Sequence, residues 1–304
     1  MLRNFLLFGV LAALAWGCES RAEAPASSET PPTFSEYWYQ GEAEITSYTL
    51  KQARYGEVHD GDAVLVFVTE PFSLSHQVKL DYPERAGDDA VSVLKLNLTK
   101  KFNTGIYPYS IMQSTFTPVE AEKHPETLKV STSVQEWCGH VFTQLNREED
   151  GHYHLSSKSY FESEGDVETE LAKALLEDDV WARLRLNPES LPQGSFEMIP
   201  GTQFSRLRHL PLQPVAAQGA LSDKGGELRT YTLTYPELNR TLRISFTSAF
   251  PHTIEQWEET MPSGFGPGAK LLTTTAQRKA RMMTPYWNQH RPEDTHLREE
   301  LGLE

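Results

Sequence analysis

The chain has 304 residues, with 28 Lys and Arg against 42 Asp and Glu, for a formal charge of −14. That acid excess excludes a nucleic-acid binder built on a basic face, and two cysteines exclude a disulfide scaffold or a four-ligand zinc site. At 38% hydrophobic and 11% aromatic, the chain can bury a sizeable core, which excludes a wholly disordered protein.

One cation, Arg3, precedes an apolar run at positions 5–16, and the polar stretch 19–23 ends it. This is the layout of a secretory signal peptide. A membrane-crossing helix needs about 20 apolar residues, and the run is too short for one. Gly17-Cys18 directly behind it resembles the processing site of bacterial lipoproteins, where the cysteine takes a diacylglycerol, the signal is removed and the new amine is acylated. The lipoprotein pattern usually has Leu third before the cysteine. Here Leu14 is fourth, Ala15 third and the bulky Trp16 second. Ordinary cleavage after 13–15 or 22–24 is the competing reading. On the lipoprotein reading, residues 1–17 are the signal peptide, Cys18 is the lipidation site and 18–33 is a flexible tether. Several acyl chains on one residue anchor a protein durably. Glu19, rather than Asp, after the cysteine favours the outer membrane by resemblance to lipoprotein sorting rules. The expectation is an exported protein held on the outer membrane, at its periplasmic face or on the cell surface.

Apolar area begins at Tyr37, Trp38 and Tyr39, and residues 34–304 read as a single domain. The run 64–68, bounded by Asp60-Gly61-Asp62 and Glu70-Pro71, reads as a buried strand. Over 91–100, Leu94, Leu96 and Leu98 share one face, with Lys95, Asn97 and Thr99 opposite. Segments 140–146 and 152–161 form a hairpin around 147–151. Then Asp166 caps a predicted helix over 167–185, with Leu171, Leu175 and Leu184 near helical spacing and Val167, Ala174 and Trp181 on the same face. Glu168 and Glu170 begin it, Arg183 and Arg185 end it, and Pro188 stops it. Strand 228–235 alternates Tyr231, Leu233 and Tyr235 with threonines, and returns through a turn at 236–239 into 242–247. A short helix follows Pro292, with Leu297 and Leu301 four apart. The predicted fold is mainly β (α+β): a large curved antiparallel sheet or half-barrel, with one long helix and a short C-terminal helix.

Candidate chemistry is sparse. In the string 135–140, Cys138 lies two residues from His140, a spacing that suits a thiol–imidazole pair with Glu136 as orienting carboxylate. The bland reading is a small thiol buried beside a core Trp137. His152 and His154 share one strand face and are a candidate metal pair, with no third ligand placed by the sequence. Nucleophile-elbow, phosphate-loop and dinucleotide motifs are absent, and the glycine-rich stretch 263–268 reads as a loop. No cofactor is implied. The aromatic set Tyr37, Trp38, Tyr39, Tyr48, Tyr55, Tyr107, Tyr109, Tyr160, Tyr231 and Tyr235 suits an apolar concavity for a lipid tail, glycan or peptide, or simply half-buried strands.

Read together, the strings 35–48, 93–110, 135–140 and 159–166 resemble uncharacterised lipoproteins of Bacteroidota-type bacteria, over essentially the whole mature chain. Members of that family are often called septum formation inhibitor Maf. The Ser-x-Ser-x-Arg-Arg loop of Maf pyrophosphatases does not occur in this sequence. The resemblance implies location and a single folded unit, and no mechanism. Three functional expectations follow: a non-enzymatic ligand-binding or carrier module, an envelope assembly or scaffolding subunit with a protein partner, and a thiol hydrolase using Cys138 and His140.

Overall fold

Period-two alternation dictates nearly every element of the computed structural model, which describes residues 33–222 and 225–303. After the short helix α1 (Phe34–Trp38), eight strands meander: β1 (Ala43–Arg54), β2 (Glu57–Ser73), β3 (Ala90–Thr104), β4 (Tyr107–Pro118), β5 (Lys129–Glu136), β6 (Gly139–Arg147), β7 (Tyr153–Ser159) and β8 (Asp166–Leu171). The two-residue strand β9 (Leu175–Leu176) leads directly into helix α2 (Glu177–Leu186). Strand β10 (Gly194–Ile199), helix α3 (Thr202–Arg208) and strands β11 (Val215–Leu221), β12 (Leu228–Tyr235), β13 (Arg240–Thr247), β14 (Ile254–Ser263) and β15 (Lys270–Thr284) follow, and helix α4 (His296–Glu300) comes last.

All fifteen strands belong to one sheet, in the order β8 to β1 and then β15 back to β9. Neighbours are antiparallel except β9 and β10. Pairing of β1 with β15, from Ala43 opposite Thr284, joins the two meanders. The two edges, β8 and β9, are only three residues apart in sequence, yet no ladder joins them, and the sheet stays open. Side chains close this seam instead: Leu171 and Leu176 pack in one cluster with Val130, Leu145, Tyr153, Leu155 and Ile199.

The inner face carries Leu94, Leu96, Leu98 and Phe102 of β3 and Tyr231, Leu233 and Tyr235 of β12. Helix α2 runs through the space they enclose, and eight of its ten residues are buried, four of them charged. The Trp181 ring meets Trp257 of β14 edge-on at 5.3 Å, and Trp257 in turn packs on Tyr48 of β1 at 4.7 Å. At one end of the helix Glu177 accepts from Arg240 Nη1 and Nη2 at 2.5 and 2.7 Å, while Arg240 Nε reaches Glu259 at 2.7 Å. At the other end Arg185 grips Glu44 in a bidentate pair at 2.5 and 2.7 Å. Among the described residues, the buried members of the three core clusters run from Trp38 to Ala276.

The expected mainly β fold with a curved antiparallel sheet is what the structure shows. The expected helix over 167–185 is corrected, because its first part is strand β8, with Asp166 pairing opposite Lys158. Gly165, at φ +60, forms the turn that the helical reading took for a cap region. Val167, Thr169 and Leu171 alternate with acidic residues, a strand pattern that the leucine spacing masked.

Arg185 and Glu44 are both essentially inaccessible to solvent. Removing Arg185 leaves Glu44 buried beside the Tyr37 hydroxyl and the more distant Arg281, and breaking a buried pair in this way costs about 3–5 kcal/mol. Arg185→Met is expected to lose that much in urea denaturation, and the double variant Arg185→Met/Glu44→Leu to regain most of it. Equal destabilisation of the single and double variants would refute this account.

Candidate binding site

The tyrosine-lined concavity expected from the sequence is not hollow. Tyr48, Tyr109, Tyr231 and Tyr235 are core residues packed around α2, which fills the curve of the sheet. What is left inside is a polar chamber of about 30 Å3 between α2, α3 and strands β3, β4, β13 and β14, lined by Lys100, Gln113, Asp178, Gln203, Arg240 and Glu259. That is room for about two water molecules. The side-chain amide of Gln203 has no partner, and burial lowers the pKa of Lys100 with only partial relief from Glu259. Asp178 accepts from the backbone N–H of Thr202 at 3.1 Å. Burial, and then the charge of Glu177 beside it, push its carboxyl up to about 7.

Space for a ligand lies on the outer face. The outward positions of four strands there are apolar where an up-and-down sheet is usually polar: Ile45 on β1, Val64 on β2, Met112 on β4 and Met282 on β15. The segment after β15, with α4, crosses over them as a strap. Its fastenings are specific: Ser47 Oγ donates to the Leu301 carbonyl at 2.5 Å, Lys279 Nζ to the Gly302 carbonyl at 2.6 Å, and Thr284 Oγ1 to Gln289 at 2.7 Å. Between strap and sheet lies a cleft of about 500 Å3, to which the strap contributes Leu297, Leu301 and Leu303. Asp62, Lys101, Asp294 and Arg298 stand among its polar lining. This volume falls in the range of small-ligand sites, and an apolar floor with a few polar groups fits an amphiphile. The sequence carried a sign of it in the unbroken apolar run 64–68, whose outward Val64 needs a cover.

The candidate thiol sits elsewhere. Cys138 is exposed at the tip of the β5–β6 hairpin, beside an exposed Trp137 rather than a buried one. Its backbone N–H donates to Glu136 Oε2 at 2.7 Å. A hydrogen bond to Glu136, and then that residue's charge, raise the thiol pKa, the opposite of what a thiolate nucleophile needs. Glu136 thus faces Cys138 rather than orienting an imidazole, and His140 is exposed on β6. The two candidate metal histidines part company. His152 Nδ1 pairs with Asp150 at 2.9 Å, whereas the ring nitrogens of His154 meet Glu170 at 2.9 Å and Glu168 at 3.0 Å. Those bonds, Glu170 first, raise the pKa of His154. Glu148, His154 and Glu170 offer ligand atoms within 4.8 Å of one another at an open surface. Cys18 lies outside the described residues.

The chain matches no known family model and no curated protein. Among solved structures it is similar to a β-barrel-like protein of a domain of unknown function, DUF1849, from Brucella abortus. Their identity is 7%, over 80% of this chain and 97% of the other, with a TM-score of 0.43. No helix among the described residues is long and apolar enough to cross a membrane.

Two outcomes follow from these geometries. An aspartate in an unfolded chain ionises near pH 4. The folded protein, with Asp178 at about 7, keeps a proton that the unfolded chain releases, so stability falls as pH rises from about 4 to about 7. Asp178→Asn keeps the neutral form and the acceptor for Thr202. It is expected to flatten that slope and to stabilise the protein above pH 7 by on the order of 4 kcal/mol; identical slopes for both proteins by denaturation at several pH values would count against it. For Cys138, alkylation by iodoacetamide is expected to be slower than that of a free thiol. Glu136→Gln should speed it, since the carboxylate that suppresses the thiolate is gone, and an unchanged rate would remove Glu136 from the account.

Proposed function

We propose that this chain is an exported envelope lipoprotein, anchored through Cys18, whose folded part is a non-enzymatic binding or carrier module for an apolar or amphiphilic ligand. The single observation that carries the reading is the strap-covered cleft. Outward apolar residues on β15, β1 and β2, and on β4 beyond β3, are roofed by leucines but leave about 500 Å3 unfilled. A floor built only for stability would be packed against its cover, because voids forfeit contacts that close packing supplies. An acyl or similarly apolar chain fits between the methionines and leucines, with Lys101 at hand for an anionic head.

The test is native mass spectrometry of the protein extracted from its own membrane. The expected spectrum shows the acyl mass at the amino terminus and a second, non-covalent mass. Met112→Glu puts a charge on the cleft floor at a partly exposed position, and should lose the non-covalent mass while keeping the fold and the acyl mass. A wild-type protein with an empty cleft in every preparation would sink the binding role. Absence of the acyl mass from that spectrum would sink the anchor alone.

A further inference from the structure

At one end of the sheet the hairpin tips share a composition that nothing in the core requires. Odd-to-even turns of the first meander all fall at this end, and β15 begins there beside the end of β1. Tyr55 tops β1–β2, Ile106 tops β3–β4, Trp137 tops β5–β6, Tyr160 tops β7–β8 and Phe265 tops β14–β15. All five are exposed, Ile106 by 81% and Trp137 by 68%. The pairing registers, Gly61 with Phe102, Ser110 with Gln135 and Val141 with Ser159, set each successive tip back by two or three residues along the strands.

The rim is also braced. Tyr160 lies so close over Gly139 that a Cβ there would sit 2.5 Å from its ring. A chain of edge-on and tilted rings, Phe161 to His209 to Phe265 to Tyr55, spans the mouth at centroid distances of 5.1, 5.9 and 6.3 Å. Behind these rings stand Arg54, Arg206 and Arg208. Arg206 pairs with Glu164, but Arg54 and Arg208 have no carboxylate partner among the described residues and donate to carbonyls and tyrosine hydroxyls instead. Arg54 lies 4.2 Å from the Tyr55 ring centroid, and Arg208 lies 5.7 Å from that of Phe265. The nearby carboxylates Glu57 and Glu136 are engaged by Lys270 and by the Cys138 backbone, and Glu162 is exposed. In a chain of formal charge −14, the rim is thus apolar and close to neutral; Arg54 is buried behind it, and the half-buried Arg208 is the guanidinium there without a carboxylate that is open to solvent. At the opposite end the loops 119–128 and 148–152 carry Glu120, Glu122, Glu126, Glu148, Glu149 and Asp150.

We propose that this rim docks end-on to a phospholipid surface, its aromatic tips entering the headgroup layer and Arg208 answering a phosphate. Aromatic side chains with a polar edge favour that layer, and arginine stems lie along apolar surface while their heads reach phosphate. A peripheral contact of this kind leaves the fold intact. It is also independent of the strap cleft, which opens on the outer face of the sheet. Helix α1 lies at the other end, where β1 starts and Phe34 packs on Phe250.

Residues 33–304, which contain all three described core clusters and lack Cys18, are the protein to test. Vesicles of equal parts phosphatidylethanolamine and phosphatidylglycerol should carry it upward in a density gradient. Tryptophan emission should shift to the blue on binding, and Trp137→Phe should remove most of the shift. The triple variant Ile106→Ser/Trp137→Ser/Phe265→Ser changes exposed tips only, and should float about tenfold less or worse. Arg208→Gln should weaken flotation on these vesicles more than on pure phosphatidylcholine. Protein that stays at the bottom, or floats equally well with the triple variant, overturns the proposal. A photo-crosslinker at position 137 that captures an envelope protein, with no flotation, overturns it in favour of a protein partner.

Discussion

A sheet of fifteen strands that fails to close leaves two liabilities, an interior too wide for its own side chains and a pair of unpaired edges. Helix α2 answers the first, and the cluster around Leu171 and Leu176 answers the second. The helix starts directly from the edge strand β9, turns inward, and ties β13 and β14 through Arg240, β4 through Thr117 and Asp179, and β1 through Glu44. These bonds cross the interior from wall to wall. Buried ion pairs add little net stability over apolar packing of the same shape, so their effect is best seen as placement. A helix with carboxylates at its start and arginines near its end sits in one direction and at one height, because each charge has one waiting partner.

Much of this architecture was legible in the chain. Strand β12 falls on the residues that alternate tyrosine and leucine with threonine, and its turn into β13 lies where Pro236 and Asn239 place it. The hairpin of β6 and β7 was readable from the acidic, glycine-bearing turn between them. Helix α2 was half misread. Its buried charges make its own periodicity faint, since Glu177, Asp178 and Arg185 occupy positions that a pattern-based reading assigns to solvent. The fault lies in the rule that charge means surface, which long-range partners such as Glu44 overturn without leaving a local mark.

Functional features were less legible, for a related reason. Tyrosine abundance pointed to a hollow, but the same residues line a wall whether the space behind it is empty or filled, and only α2 decides. The cleft depends on which outward residues of four strands lie side by side and on what crosses over them. Ile45 and Met282 are opposite each other in the ladder yet 237 positions apart in the chain. Cys138 and His140 attracted notice because adjacency in sequence is easy to see. On a hairpin tip that adjacency produced a thiol facing a carboxylate, while His154 found its acidic neighbours across a strand pair.

The ladder between β1 and β15 has one more implication. It joins the earliest strand of the sheet to the latest, so the two meanders remain separate ribbons until nearly all of the polypeptide is present. Contacts so distant in sequence form slowly, because the loop that must close is almost the length of the molecule. During that interval the backbone groups of β1 on its β15 side have no mate, next to a ribbon rich in valine, leucine and phenylalanine. Maturation of this protein is accordingly governed by how long that ribbon waits, and any factor that shields a bare strand edge would act on its yield without touching its finished form.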